Sequence, residues 1–222
     1  MHKALITGAS RGIGKVIKEV FENNKIEVIA PVREQLDLAS NESIDEYFRN
    51  LKEDEDIDIL INNAGINELG TLEDITDDEI DRMIQVNLIA QLKLIKALSP
   101  KMKEKGYGRI VNLGSIWSGY TKIGRMMYTI AKTGVSGLTR ASAVELAKHN
   151  ILVNAVAPGF VDTEMTRQNN TLEQIKCIEN SIPINRLAKP EEIAEVIYFL
   201  ASEKNSFMTG QTIFVDGGFS CV

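Results

Sequence analysis

Cysteine, tryptophan and histidine are all scarce: two, one and two residues in a chain of 222. Cys177 and Cys221 stand far apart and have no metal-ligand spacing, so neither a disulfide framework nor a thiolate metal site is encoded. With five prolines and no repeat, linker or biased segment, no low-complexity region interrupts the chain. No apolar run approaches the roughly 18 residues of a membrane span. Positive charge is in deficit. The 25 Lys and Arg against 31 Asp and Glu leave a net charge of −6, which argues against a nucleic-acid footprint and against a polybasic membrane patch. The apolar run KALITG begins at residue 3 with no leader-like stretch before it, and a cytoplasmic location is the expectation. Asn41 and Asn169 open glycosylation-type triplets, which without a secretion signal are read as chance. What remains is 44% hydrophobic and 25% charged, ordinary for a soluble globular protein. It is long enough for one sizeable core, and residues 1–222 are expected to form a single domain.

Strand-like runs alternate with helical ones. Residues 3–7, 27–30, 58–62, 109–113, 151–157 and 212–215 read as buried strands. Residues 12–23, about 77–103, 127–148 and 190–201 read as helices, the last opened by Pro190 with Glu191 and Glu192 in its first turn. This alternation predicts an α/β fold, a three-layer, Rossmann-type, doubly wound parallel sheet. One stretch breaks the rhythm. Only six residues separate Ala30 from Asp37, and a parallel crossover needs about a dozen or more. The helix between the second and third strands is therefore missing, and the third strand, QLDLAS, is vestigial: two or three residues, or none.

The turn TGASRGIG joins the first strand to the first helix, the context a dinucleotide-binding motif requires. Gly8 lets the chain turn, Gly12 lets backbone approach a phosphate, and Gly14 lets helix and strand pack closely. The helix N-terminus then offers amide donors to a pyrophosphate. Ser10 and Ile13 lie in the same turn and are assigned to the cofactor with it. An acidic residue commonly ends the second strand where NAD is bound. Here that strand ends APVRE, with Arg33 near its tip and Arg11 in the glycine turn. Two guanidinium groups suit a 2′-phosphate, which predicts NADP(H) over NAD(H), although Glu34 remains available to a ribose.

Further along, Tyr128 and Lys132 stand four residues apart, on one helix face, and Ser115 ends the apolar run RIVNLGS. A tyrosine hydroxyl beside an ammonium is a proton donor whose pKa the positive charge is expected to pull down. A proton donor, a second hydroxyl and a dinucleotide turn together describe an enzyme that moves a hydride to or from a carbonyl carbon.

Seven motifs in order make the chain resemble the short-chain dehydrogenases/reductases end to end: TGASRGIG, NNAG at 62–65, Asn87 in VNL, Ser115, Tyr128 with Lys132, PGFVDT at 158–163, and the closing DGG. The resemblance implies a catalytic set of Asn87, Ser115, Tyr128 and Lys132. In it Tyr128 donates the proton, Ser115 stabilises the oxyanion, and Lys132 binds the nicotinamide ribose and tunes the tyrosine. Asn87 holds a water that links Lys132 to solvent. It also implies that Asp37 and Leu38 hold the adenine, that Asn63, Ala64 and Gly65 pass along the adenosine ribose, and that Pro158, Gly159, Val161 and Thr163 line the nicotinamide. Asn63 has an alternative role in tying adjacent strands. No metal is implied.

The C-terminal stretch from SIPINRLAKP to FVDGG is most similar to bacterial 3-oxoacyl-carrier-protein reductases, making a 3-oxoacyl thioester the leading substrate. A saccharide or sugar-nucleotide carbonyl is the in-family alternative. A catalytically silent NADPH-binding sensor or scaffold is the alternative of another class. Lys101, Lys103 and Lys105 either form a docking patch for an acidic carrier or are a solvated face. The polar segment 164–185 is expected to be a mobile lid over the substrate. Trp117 either walls the substrate pocket or belongs to the core. Gly134 and Gly137, with Ala131, Ala141 and Ala147, form a small-residue surface on the catalytic helix. It is read as a contact in a homotetramer, or dimer, or else as packing on the enzyme's own sheet.

Overall fold

A computed structural model describes residues 2–51, 56–168 and 170–222. Six strands run parallel in one sheet: β1 (Lys3–Ile6), β2 (Glu27–Ile29), β3 (Ile59–Asn62), β4 (Gly108–Leu113), β5 (Ile151–Pro158) and β6 (Thr212–Val215), in spatial order β2-β1-β3-β4-β5-β6. The order reverses at β1, which pairs with β2 on one side and β3 on the other. In a parallel sheet the crevice at such a reversal, beyond the carboxyl ends of the strands, is where ligands bind.

Period-two alternation sends each strand's side chains to two cores. Ala4, Ile6, Ile59, Ile61, Val111 and Leu113 face one side. There they meet Ile17 and Phe21 of helix α1 (Gly12–Asn23) and Ile193 and Ile197 of helix α8 (Pro190–Ala201). Leu5, Leu60, Ile110 and Val153 face the other side. They pack on Ile44 of α2 (Asn41–Asn50), Leu94, Leu98 and Met102 of α4 (Ala90–Lys105), and Leu146 of α5 (Met126–Leu146). The central strands β3, β4 and β5 are buried along their whole length, as expected for strands covered on both faces.

The short crossover behaves as its length requires. After Ile29 the chain makes a turn, with Leu36 N donating to Val32 O (3.0 Å). It then enters α2, whose first turn is capped by the Ser40 hydroxyl (Ser43 N to Oγ, 3.1 Å). No strand forms between β2 and α2, so β2 is the sheet edge. The sequence reading passed over α2 itself. Its signals were an N-cap serine and apolar residues at 44, 47, 48 and 51.

The helix expected over 77–103 is interrupted. It comprises α3 (Asp77–Ile84), a π-helical turn (Gln85–Ile89) and α4. The polar segment expected as a lid forms two short helices, α6 (Glu164–Gln168) and α7 (Leu172–Asn180), the second closed by a Thr171–Gln174 capping box. Asn41 accepts a hydrogen bond from Gln85 (3.1 Å), whereas Asn169 lies outside the described residues. Among the described residues no helix is long and apolar enough to cross a membrane.

Candidate active site

The glycine turn leaves β1 at Thr7, whose hydroxyl accepts from the backbone N–H groups of Asn63 (3.1 Å) and Ala64 (3.0 Å). The Asn63 amide returns the bond to the carbonyls of Thr7 (2.9 Å) and Gly8 (3.0 Å). The two loops that leave neighbouring strands are thereby joined, and Asn63 takes the tying role. Gly8 has φ +68° and a Cβ there would lie 2.9 Å from Ala64 Cα. A Cβ on Gly14 would lie 2.1 Å from Gly8 O. Gly12 is the exception, since a Cβ on it would meet only the Thr163 methyl at 3.9 Å. Helix α1 starts at Arg11 with no side-chain cap, while α2, α3 and α7 are each capped by a hydroxyl. Uncapped amides beside exposed Ser10 and Arg11 fit a pyrophosphate, which needs donors and close backbone approach. Ile13 packs inward against the first core.

At the tip of β2 the structure pairs two residues that were each expected to face the cofactor. Arg33 donates to Asp37 through Nε (3.3 Å) and Nη2 (3.2 Å), with its side chain 76% exposed. Asp37 also accepts from Ala39 N (2.9 Å). Leu38 packs against the second core, and its carbonyl accepts from Gln85 (3.2 Å).

Ser115 follows β4 and opens a 3₁₀ turn, with its Oγ accepting from Trp117 N (3.3 Å). Tyr128 and Lys132 lie on consecutive turns of α5. Lys132 is 2% exposed. Its Nζ donates to Leu113 O (2.7 Å) and stands 5.5 Å from the Tyr128 ring centre. Burial pulls the lysine pKa down to about 8.

The tyrosine corrects an expectation. Its pKa is raised, because burial of the phenol outweighs a hydrogen bond from Ser115 and the charge of Arg125, and Lys132 is not among the groups that lower it. A phenol taken out of water resists becoming an anion.

Asn87 sits in the π-helical turn, fully buried. Its amide donates to Met83 O (3.0 Å), the carbonyl its own backbone N–H would take in an α-helix, and to Ile66 O (3.0 Å). Its Oδ1 accepts from Ile66 N (3.1 Å). A Cβ on Gly65 would lie 2.7 Å from Asn87 Oδ1 and 3.5 Å from Lys132 Nζ. One side chain thus breaks the helix and holds the NNAG loop against the lysine.

The loop after β5 packs on the DGG segment. A Cβ on Gly159 would lie 2.8 Å from Asp216 Cα. Pro158 pairs with Val215 as the last residue of β5, Val161 is buried and bridged to Ala188, and Thr163 approaches the glycine turn. Trp117 is buried, edge-on to Phe160 at 6.2 Å between ring centres.

Two cations that were not singled out lie over Trp117: Arg125, with Cζ 5.5 Å from the ring centre, and Lys122, with Nζ at 5.6 Å. The signal for Arg125 was its place three residues before Tyr128. On α5 the small-residue surface divides. Ala131 is buried, Gly134 packs on the chain's own Leu88 (2.7 Å from a Cβ there), and Gly137 faces open space. Lys105 is bound to Asp58 rather than free for docking.

The family model for enoyl-(acyl carrier protein) reductase matches residues 14–220. The chain is 36% identical to a 3-oxoacyl-[acyl-carrier-protein] reductase of Vibrio harveyi, over 99% of this chain and 97% of that one. Among solved structures it superposes on 4-hydroxyisoleucine dehydrogenase complexed with NADH at TM-score 0.95 and 29% identity, covering 100% of both chains. A protein of Beutenbergia cavernae assigned as an NAD(P)-dependent gluconate 5-dehydrogenase, with NADP bound, matches at TM-score 0.89 and 32% identity, covering 100% of this chain and 97% of that one.

Proposed function

This chain belongs to the short-chain dehydrogenase/reductase family and is a nicotinamide-dependent oxidoreductase, and from that premise we propose that it uses NADPH to reduce the 3-keto group of an acyl thioester. The observation that carries the reading is the convergence of Ser115, Tyr128 and Lys132 at the carboxyl ends of the strands, beside an uncapped glycine turn.

In this reading Gly8, Ser10, Arg11, Gly12, Ile13 and Gly14 hold the pyrophosphate. Arg11 and Arg33 take the 2′-phosphate, Arg33 by leaving Asp37. Ala64 and Gly65 lie along the ribose, and Pro158, Gly159, Val161 and Thr163 lie along the nicotinamide. When bound there, the reduced nicotinamide supplies a hydride equivalent to the carbonyl carbon.

Negative charge then builds on the carbonyl oxygen, and Ser115 Oγ–H stabilises it by hydrogen bonding. Tyr128 O–H gives it the proton. With its pKa raised, the phenol is protonated across neutral pH, as a proton donor must be. Lys132 is an ammonium at neutral pH, with a pKa of about 8. It orients the ribose and replenishes the phenol proton. Asn87 acts by positioning the Gly65–Ile66 backbone beside that ammonium.

The thioester is supported by the similarity to the Vibrio reductase. The gluconate 5-dehydrogenase assignment of a 32% identical structure favours a sugar-derived carbonyl as the second reading. The reading includes one domain over residues 1–222, and a cytoplasmic enzyme whose exposed free cysteines suit a reducing compartment.

The test is NADPH oxidation with 3-oxoacyl thioesters and keto sugars in parallel, using the wild type and Tyr128→Phe. We expect the variant to bind NADPH and lose about 10³-fold or more in kcat, of the order a positioned general acid supplies. Retained turnover in Tyr128→Phe refutes the assigned acid. NADPH binding without oxidation of any carbonyl favours the sensor. Preference for NADH removes the 2′-phosphate assignment.

A further inference from the structure

We propose that Arg125, with Lys122 beside it, holds a carboxylate carried by the carbonyl substrate. The inference rests on the reading of Tyr128 as the donor to a carbonyl, and it favours the second substrate reading, a sugar-acid carbonyl, over a 3-oxoacyl thioester, whose C1 carries no free carboxylate.

Two cations converge on one aromatic ring next to the reacting hydroxyls. Both lie within 5.6 Å of the Trp117 ring centre. The backbone N–H of Trp117 donates to Ser115 Oγ at 3.3 Å. Arg125 is near enough to Tyr128 for the charge of each to act on the other. Other arginines on this protein are matched by carboxylates: Arg82 by Glu68, Arg167 by Asp162 and Arg186 by Glu192. Arg109, also desolvated, gives its Nη1 to the carbonyls of Gly108 and Asn150 (2.9 and 3.1 Å), although its Nε, like that of Arg125, is buried without an acceptor. Among the described residues, Arg125 and Lys122 have neither kind of match; Arg11, Arg49 and Arg140 also have none but are exposed, whereas Arg125 is partly buried.

The Arg125 Nε is buried with no acceptor. A guanidinium taken partly out of water with an orphaned N–H is costly to the fold unless something pairs with it. Among the described residues no hydrogen bond engages the Arg125 guanidinium, whose planar fork of donors suits the two oxygens of a carboxylate. Lys122, exposed at the rim, adds a second positive charge to a protein of net charge −6. A partner that brings a negative charge to the Tyr128 end of the cleft would therefore meet a positive charge that no carboxylate of this chain, among the described residues, offsets.

The experiment compares acetoacetate with its neutral methyl ester and with the neutral S-acetoacetyl-N-acetylcysteamine thioester, in the wild type, Arg125→Gln and Arg125→Lys. NADPH fluorescence and a thermal melt check that each variant is folded. We expect the wild type to favour acetoacetate over its ester in kcat/KM. In Arg125→Gln that ratio should fall about 10- to 100-fold, mostly through KM, as loss of a charged hydrogen bond implies. Arg125→Lys should recover part of it. An unchanged ratio in Arg125→Gln, or equal losses on all three compounds, overturns the proposal.

If no compound oxidises NADPH, the carbonyl reading fails and the anion site is read by calorimetric titration of acetoacetate into the protein with NADP⁺. Binding that weakens in Arg125→Gln upholds the site. Binding that is absent, or equal in both proteins, overturns it.

Discussion

Lys132 and Tyr128 are a short distance apart on one helix, yet burial moves their proton affinities in opposite senses: the ammonium toward losing its proton, at about 8, and the phenol toward keeping its own. The consequence for activity has a definite sign. The phenol stays protonated through neutral pH, so kcat/KM for reduction should be level there and fall as pH rises through about 8, where Lys132 loses its charge. A pH–rate profile checks this, and a limb that appears only above pH ~10, the range of an unperturbed lysine, removes the role given to Lys132. Stability should move the other way. Between about 8 and the unfolded-chain value of roughly 10.4, the unfolded chain holds the extra proton, so this group's contribution to folding improves as pH rises. The grouping of Ser115, Tyr128 and Lys132, the residues proposed to react, was legible from residue type and spacing. The direction of the tyrosine shift was not, because it depends on how much protein covers the ring, which packing sets.

The glycine turn and the interrupted helix show the same division at the scale of elements. TGASRGIG announces a strand, a turn and a helix, and all three form where expected. The contact that makes Gly14 indispensable is with Gly8 O, 2.1 Å from where a Cβ would stand. Gly14→Ala must therefore push α1 away from the turn, and NADPH affinity should fall about tenfold or more, the effect of losing about 1.4 kcal/mol of amide–phosphate interaction. Fluorescence titration reads this, and wild-type affinity in the variant would exclude the turn from the nucleotide site. Asn87 was named from its motif alone. Its work as the residue that opens a π-helical turn needed Ile66, 21 residues away, to be placed beside it. The missing crossover was legible from simple chain length, since six residues cannot span a parallel connection. Helix α2 was missed because its apolar face is short and its strongest signal is one capping serine.

Across the whole molecule the two ends of the sheet have different tasks. The carboxyl ends carry the groups proposed to react. Near the opposite pole, Asp58, with a side chain 2% exposed, is held by Lys105, His2 Nδ1 (3.1 Å) and Lys3 N (3.2 Å). Burial raises its pKa, but those hydrogen bonds outweigh it and the carboxyl ends below its usual value. A depressed carboxyl contributes stability above the unfolded pKa of ~3.9 and loses it as pH falls through the folded value. Asp58→Asn should lower stability by about 2 kcal/mol at pH 7, a gap that closes on acidification below pH ~4. Urea melts at both pH values measure it, and equal midpoints at pH 7 refute it. The molecule also leaves apolar groups uncovered along α5, with Ile130 50% and Val144 82% exposed near open Gly137. These favour association with a second copy, and light scattering at micromolar concentration should show a dimer or tetramer. A monomer would remove that reading.

The sequence by itself determined the parallel α/β order, the glycine turn and the absent third strand, and it named the Ser115, Tyr128 and Lys132 set proposed as the reactive triad. Each of these follows from local spacing, from side-chain period or from the reach of a short segment. Only the tertiary structure decided that Arg33 and Asp37 face each other, that Asn63 and Asn87 are spent on backbone groups, that the phenol is harder to ionise than its neighbour's charge suggested, and that Arg125 stands over Trp117 with an unpaired N–H. Those outcomes depend on which distant residues share a small volume and how much water is excluded from it, quantities that no spacing along the chain encodes.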